Sequence, residues 1–205
     1  MRIHHKHSKL TRFAPVLGAI ALSLILSAVL PAQGGPNRPG GNPAAPRTTA
    51  ALPSAPATPG EIQWLVYMRE EEKFARDVYQ FLYERWKARV FERILSSEER
   101  HFSSVGVLLA RYAVPDPVTK DEPGIFTDAK LAALYKDLTA KGGLSLKDAL
   151  EVGVLIEKAD IEDLEKALLV AEKTDIKRVF TNLLNGSYNH LDAFETNLEL
   201  LTMAP

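Results

Sequence analysis

Ser97-Glu98-Glu99-Arg100-His101 sets a carboxylate and an imidazole three residues apart in a proline-free run, residues 88–112. The apolar residues of that run, Phe91, Ile94, Val105, Leu108 and Tyr112, recur in steps of three and four, and Glu98 and His101 fill the two vacant steps between Ile94 and Val105. Such a period belongs to an amphipathic helix, on which positions i and i+3 share a face. Glu98 and His101 therefore point at one place, on the stripe the helix buries. The rest of the chain is read by asking which other polar side chains face the same place.

Upstream, Ile62 to Trp86 contains neither proline nor glycine, and Leu65, Met68, Ala75, Tyr79, Leu82 and Trp86 repeat the same steps. The missing step is Glu72, a carboxylate on the apolar stripe. Downstream, Pro115, Pro117, Pro123 and Gly124 make residues 113–126 a loop. Thr127 is expected to cap a short helix ending near Gly142-Gly143. Ser145 caps a third long helix with the seam Leu146, Leu150, Gly153, Glu157, Asp160, Leu164, Ala167 and Ala171. The run Asp160-Ile161-Glu162-Asp163 is also a possible start of a new helix, so a break is allowed there. After a turn at Lys173-Thr174-Asp175, a fourth long helix carries Ile176, Phe180, Leu183, Ser187, His190, Phe194, Asn197 and Leu201 in register. Gly186 weakens its helix propensity. The expected fold is all-α: a four-helix bundle with a long crossover from the second to the third long helix, residues 113–144, containing the short helix.

Counting from the turns gives each polar seam residue a depth. Glu72 lies fifteen residues before Lys87, with Glu98 and His101 eleven and fourteen after it. Glu157 lies sixteen before Lys173 and His190 seventeen after it. At about 1.5 Å of rise per residue, the mismatches amount to about one helical turn at most. All five can meet mid-bundle. Buried charges without partners are very costly, and a cation ligated by carboxylates and imidazoles removes the penalty. Glu-His ion pairs without metal would need a donor for every acid, yet no seam position is Lys or Arg. Singly these residues say less: Glu72 within Glu70-Glu71-Glu72 would read as a solvated face, and His190 as a core histidine.

The N-terminal part differs in kind. Residues 1–12 are basic without an acid, Val16 to Leu30 is almost wholly apolar, and Pro31-Ala32 follows, the layout of a signal peptide over residues 1–32. An uncleaved anchor is the alternative, although a membrane span needs about 20 apolar residues. Residues 33–60, rich in Pro, Gly, Ala, Ser and Thr, read as a disordered linker, and residues 61–203 as the folded domain. Losing Arg2, Lys6, Lys9 and Arg12 from the chain's 25 basic residues leaves 21 against 26 acidic ones. That mild acidity argues against nucleic acid as a partner. With no cysteine, structural disulfides and thiolate metal sites are excluded.

The motifs Glu72-x-x-Ala75-x-x-x-Tyr79, Glu98-x-x-His101, Glu157 and His190 resemble the ferritin-like di-iron carboxylate superfamily, and within it the rubrerythrin-like helices. The phrases around Glu70 to Tyr79, Ser97 to His101, Val152 to Asp160 and Asn185 to His190 resemble the bacterial ferritin-like family DUF2202. The superfamily pattern has a second Glu-x-x-His on the fourth long helix, where this chain has Ser187. Asp160, on the face of Glu157, can supply the missing carboxylate, which gives Glu72, Glu98, His101, Glu157, Asp160 and His190 as metal ligands. The resemblance implies two iron ions, with Glu98 bridging and one histidine on each, reacting with O₂ or H₂O₂ in a ferroxidase- or peroxidase-type oxidoreductase. Mn and Zn suit the same ligands. Tyr79 is an outer partner of the site or a redox outlet, beside the plainer role of core tyrosine. Electrons would come from a separate reductant. The competing expectation is a mononuclear or non-catalytic metal-binding or interaction module of the cell envelope. Export to the periplasm or medium follows from the leader, no stable membrane span is expected after cleavage, and apolar seams of this kind are compatible with a homodimer.

Overall fold

The structure is a computed structural model that describes residues 55–203; the leader and most of the linker lie outside the described residues. Five helices follow in order: α1 (Pro59–Trp86), α2 (Arg89–Arg111), α3 (Ala129–Gly142), α4 (Leu146–Val170) and α5 (Thr174–Met203), with no strand among the described residues. The fold is all-α. Helix α1 packs mainly against α2 and α4 against α5, the pairs also touch as α1 with α4 and α2 with α5, and short α3 lies on α1 and α4. None of these helices is long and apolar enough to cross a membrane.

Local chemistry fixes the helix ends. Thr58 and Glu61 form a capping box, Thr58 N–H donating to Glu61 Oε2 at 2.8 Å and Glu61 N–H to the Thr58 hydroxyl at 3.2 Å. Helix α1 thus starts at Pro59, inside the stretch read as linker, and Ala57 just before it is already buried. The second Glu61 oxygen accepts the Glu172 and Lys173 N–H groups, each at 2.7 Å, which ties the start of α1 to the α4–α5 turn. The α1–α2 turn pivots on Lys87 in the left-handed region, φ 53°.

One expected helix cap is corrected, and one break that the sequence allows does not occur. Asp128 caps α3 in place of Thr127, because its carboxylate accepts from both Lys130 and Leu131 N–H. Thr127 is engaged elsewhere, donating its hydroxyl to the Pro117 carbonyl and its N–H to Glu70. Helix α4 runs unbroken through 160–163, since Asp160 and Asp163 are buried against neighbouring helices and do not cap a new one.

The interior is apolar, polar, apolar from end to end. One apolar cluster includes Tyr79, Leu82, Phe91, Ile94, Leu150 and Phe194; the other includes Leu65, Met68, Val105, Leu164, Phe180 and Leu183. Each large side chain removed from water stabilises by roughly 1.5–3 kcal/mol. Along every long helix the polar seam residues fall between the two clusters, so the polar layer is clamped at mid-length. Gly153 lets Phe194 close the layer on one side, since a Cβ there would lie 2.7 Å from the ring.

The crossover is held by charge. Between residues 69 and 77 of α1, Arg69 pairs with Asp116 at 2.9 Å, Glu70 accepts the Asp128 N–H at 2.9 Å, and Lys73 donates to the Glu122 carbonyl at 2.7 Å. Arg76 reaches Asp121, and Asp77 accepts the Gly124 N–H at 3.1 Å. Lys73 and Asp77 form an ion pair with no exposed side-chain surface.

Candidate metal centre

The polar layer brings Glu72 (α1), Glu98 and His101 (α2), Glu157 and Asp160 (α4), and Ser187 and His190 (α5) to one depth, all buried except half-buried His101. Two donor groups result: Glu72 with Glu98 and His101, and Glu98 with Glu157 and His190, each with ligand atoms within 4.8 Å of one another. Glu98 belongs to both. Its Oε2 lies 3.1 Å from His101 Nδ1, and its Oε1 lies 2.7 Å from His190 Nδ1. Glu72 Oε2 is 3.4 Å from His101 Nδ1, and Glu157 Oε2 is 3.5 Å from His190 Nδ1. The two imidazoles stack with centroids 5.5 Å apart.

Both histidines turn Nδ1 inward. For His101 the cause is visible on α5, where Gly186 leaves room for the ring: a Cβ at that position would lie 2.5 Å from Cε1 and 2.6 Å from Nε2. The residue that weakens α5 in the sequence is thus the one that seats His101. Tyr79 donates to Glu157 Oε1 at 2.6 Å. It is an outer partner of a candidate ligand and also a core side chain, packed on Phe91 and Phe194. The Ser187 hydroxyl lies in hydrogen-bond contact with Asp160 Oδ2 and, at 3.0 Å, with the Leu183 carbonyl. Asp160 belongs to neither of the two donor groups; its Oδ1 is buried without a partner.

The charges do not balance by hydrogen bonding alone. Glu72 Oε1, Glu98 Oε1, Asp160 Oδ1 and His190 Nδ1 are buried without hydrogen-bond partners, an uncommon state for one small volume. Lys73 and Arg76 are buried nearby in sequence, yet their ion pairs are with Asp77, Glu99 and Asp121 and none is with these acids. Donor separations of 2.7–3.5 Å suit atoms sharing an ion, since ligands about 2.1 Å from a metal at right angles stand about 3 Å apart. The donor set of carboxylates and imidazoles suits Fe, Mn or Zn.

Protonation tells the same story. Burial opposes the charge on Glu98, but contact with His101 and His190 outweighs it and holds the carboxyl down at about 2. Burial, then repulsion from Asp160 and Glu98, pushes Glu72 well above the carboxylate range. Burial and the same kind of repulsion lift Glu157 to about 7 and Asp160 to about 8. Burial disfavours charge on His190, yet Glu157 and Glu98 raise it to about 9, and Glu98 likewise raises His101. Without a cation the layer therefore holds protons on Asp160 and His190 at neutral pH, and a cation would displace them.

Sequence reasoning missed Glu71. It falls outside the three-four seam and reads as part of a solvated acidic run, yet it is buried, 5% exposed, with Oε2 lacking a partner. The signal available was Tyr67 four residues earlier, a hydroxyl on the same face. Burial and repulsion from Asp160, Asp163 and Glu72 raise the Glu71 carboxyl well above its ordinary range.

Known proteins place the chain further. The profile of a family described as Uncharacterized protein domain (DUF2202) matches residues 61–203. Uncharacterized protein MJ0754 of Methanocaldococcus jannaschii is 48% identical over 145 residues, 71% of this chain and 78% of that protein. The crystal structure of hypothetical protein MJ0754 is similar with a TM-score of 0.72 at 46% identity, covering 75% of this chain and 87% of that one. The crystal structure of a DUF305 fragment from Deinococcus radiodurans shares the fold alone, with a TM-score of 0.53 at 18% identity over 71% of this chain and 99% of that one.

Proposed function

The chain belongs to the DUF2202 family, and for this member we propose an exported, ferritin-like four-helix protein that holds two metal ions and acts as an oxidoreductase. The observation that carries the reading is Glu98, whose two oxygens each face a different imidazole while Glu72 and Glu157 flank the pair from opposite helices. A carboxylate in that position is suited to bridge two ions, each finished by one histidine and one carboxylate from another helix. Asp160 Oδ1, buried and free, is available as the further acid that Ser187 does not provide.

Two bound iron ions would supply the electrons for reduction of O₂ or H₂O₂, a ferroxidase- or peroxidase-type reaction. The residues' own part is to accept the charge change. Asp160 and the protonated share of Glu157 would give up protons as a cation enters, and Tyr79 keeps Glu157 oriented through its 2.6 Å hydrogen bond. The Ser187 contact of Asp160 favours a second reading, in which Asp160 stays engaged with α5 and a single ion is held for stability.

Stopped-flow mixing of the Fe(II)-loaded protein with O₂ and with H₂O₂ separates these. Oxidation well above that of a His101→Ala, His190→Ala double variant supports the oxidoreductase. Equal rates would leave a binding module.

A further inference from the structure

Of the charged residues between 69 and 77 on α1, all but two spend their charge on the crossover. Arg69, Glu70, Lys73, Arg76 and Asp77 hold residues 116–128, and Glu72 faces His101 in the metal layer. Glu71 does neither. Its Oε1 lies 3.5 Å from the Tyr67 hydroxyl, which donates to Asp163 Oδ2 on α4 at 3.1 Å, and its Oε2 is buried with no partner. No Lys, Arg or His makes an ion pair with it among the described residues.

Asp163 forms the outer end of this group. Its Oδ1 pairs at 2.9 Å with Lys166, which also reaches Glu162 at 2.9 Å and is itself half-buried. One turn of α4 inward is Asp160, the acid whose free oxygen belongs to the layer. Carboxylates thus run from the α1–α4 surface toward the centre: Glu162 and Asp163, then Glu71 across the Tyr67 hydroxyl, then Asp160 and Glu72. Successive buried carboxylate oxygens of this kind offer an entering cation ligands in turn.

We propose that Glu71, with Asp163 and the Tyr67 hydroxyl between them, is a transit station through which a divalent cation passes from the α1–α4 surface to the metal layer. The proposal rests on the metal-binding reading above and adds to it a route and a residue outside the ligand set. Oxygen-only donors suit the station to a hydrated divalent cation held briefly, since it lacks the imidazoles that would retain one. Lys166 guards the outer end by occupying Asp163.

The test uses the full chain and Co(II), whose absorption changes when it gains protein ligands. In stopped-flow mixing, Glu71→Gln and Asp163→Asn each slow Co(II) uptake by about tenfold, since each removes an oxygen ligand from the route. Both leave the final spectrum and the number of ions per chain unchanged, and Lys166→Ala speeds uptake. Unchanged uptake in Glu71→Gln overturns the route, even if the pH dependence of the rate alters, as a proton relay would have it. Loss of a bound ion in Glu71→Gln also overturns it, by making Glu71 a permanent ligand. Absence of Co(II) uptake by the unsubstituted chain rejects the metal centre and the route together. Glu71→Gln keeps the side chain's shape and removes an unpartnered acid, so helix content by circular dichroism is retained; should it fall, Asp163→Asn decides alone.

Discussion

His190 Nδ1 and Glu98 Oε1 stand 2.7 Å apart, yet neither atom has a hydrogen-bond partner. The contact has the distance of a strong bond without its alignment. Two atoms so placed are better used as co-ligands of one ion than as a donor and an acceptor.

Gly186→Ala separates helix stability from site geometry. Alanine is favoured over glycine within a helix by about 1 kcal/mol, which by itself would stabilise α5. The added Cβ would lie 2.5 Å from His101 Cε1, so the ring must turn out of the layer. Metal titration should show weakening of the ion nearest His101 by 10- to 100-fold, on the order expected when a ligand's support is lost. The other ion is affected less.

Without metal, stability falls as pH rises. Glu157, Asp160 and His190 are raised from 4.5, 3.8 and 6.5 to about 7, 8 and 9. A group raised on folding stabilises fully below its ordinary value and loses that contribution as pH climbs through the folded one. The window is therefore about pH 4 to 9. Glu98, lowered to about 2, works in the opposite sense, but its change is complete above its ordinary 4.5. Urea midpoints with chelator should be lower at pH 8 than at pH 5, and saturating Mn(II) or Zn(II) should reverse the order.

Lys73→Met tests whether the crossover strap is separate from the centre. Lys73 is fully buried, paired with Asp77, bonded to the Glu122 carbonyl and seated 4.6 Å over the Phe126 ring. Its loss leaves Asp77 with Arg76 as its remaining ion-pair partner and the Glu122 carbonyl without this donor, a change that costs about 1–3 kcal/mol. Urea unfolding should register that loss, while the number of metal ions bound per folded chain stays the same.

Tyr79→Phe removes the 2.6 Å hydrogen bond to Glu157 and little volume. A buried acceptor left without its donor costs about 1–3 kcal/mol. Thermal unfolding of the chelated protein should show that cost. Both ions should still bind, with the Glu157 side weakened.

The seam and the depth count made the polar layer legible in the sequence, because both depend only on helical period and on where Lys87 and Lys173 place the turns. Glu72, Glu98, His101, Glu157 and His190 meet as counted. Local capping was less legible: Thr127 and Asp128 are both good caps, and the choice between them turns on Glu70, over fifty residues away. The burial of Glu71, Lys73 and Arg76 was invisible to a single seam, since α1 is covered on one side by α2, on another by α4 and α3, and on its outer face by the crossover. A helix enclosed on several sides buries most of its circumference, and the charged run 69–77 is then read as solvated when it is a set of internal partners. Gly186 looked like a defect of α5 because its use lies on α2.

In the proposed centre Glu98 joins two ions. Metal analysis of the protein after anaerobic loading with Fe(II), repeated on Glu98→Gln, tests it most directly. Two ions per chain are expected for the native sequence, and for the variant at most one, weakly held. Two tightly held ions in Glu98→Gln, or none in the native protein after Fe(II), Mn(II) and Zn(II) have each been offered, would contradict it.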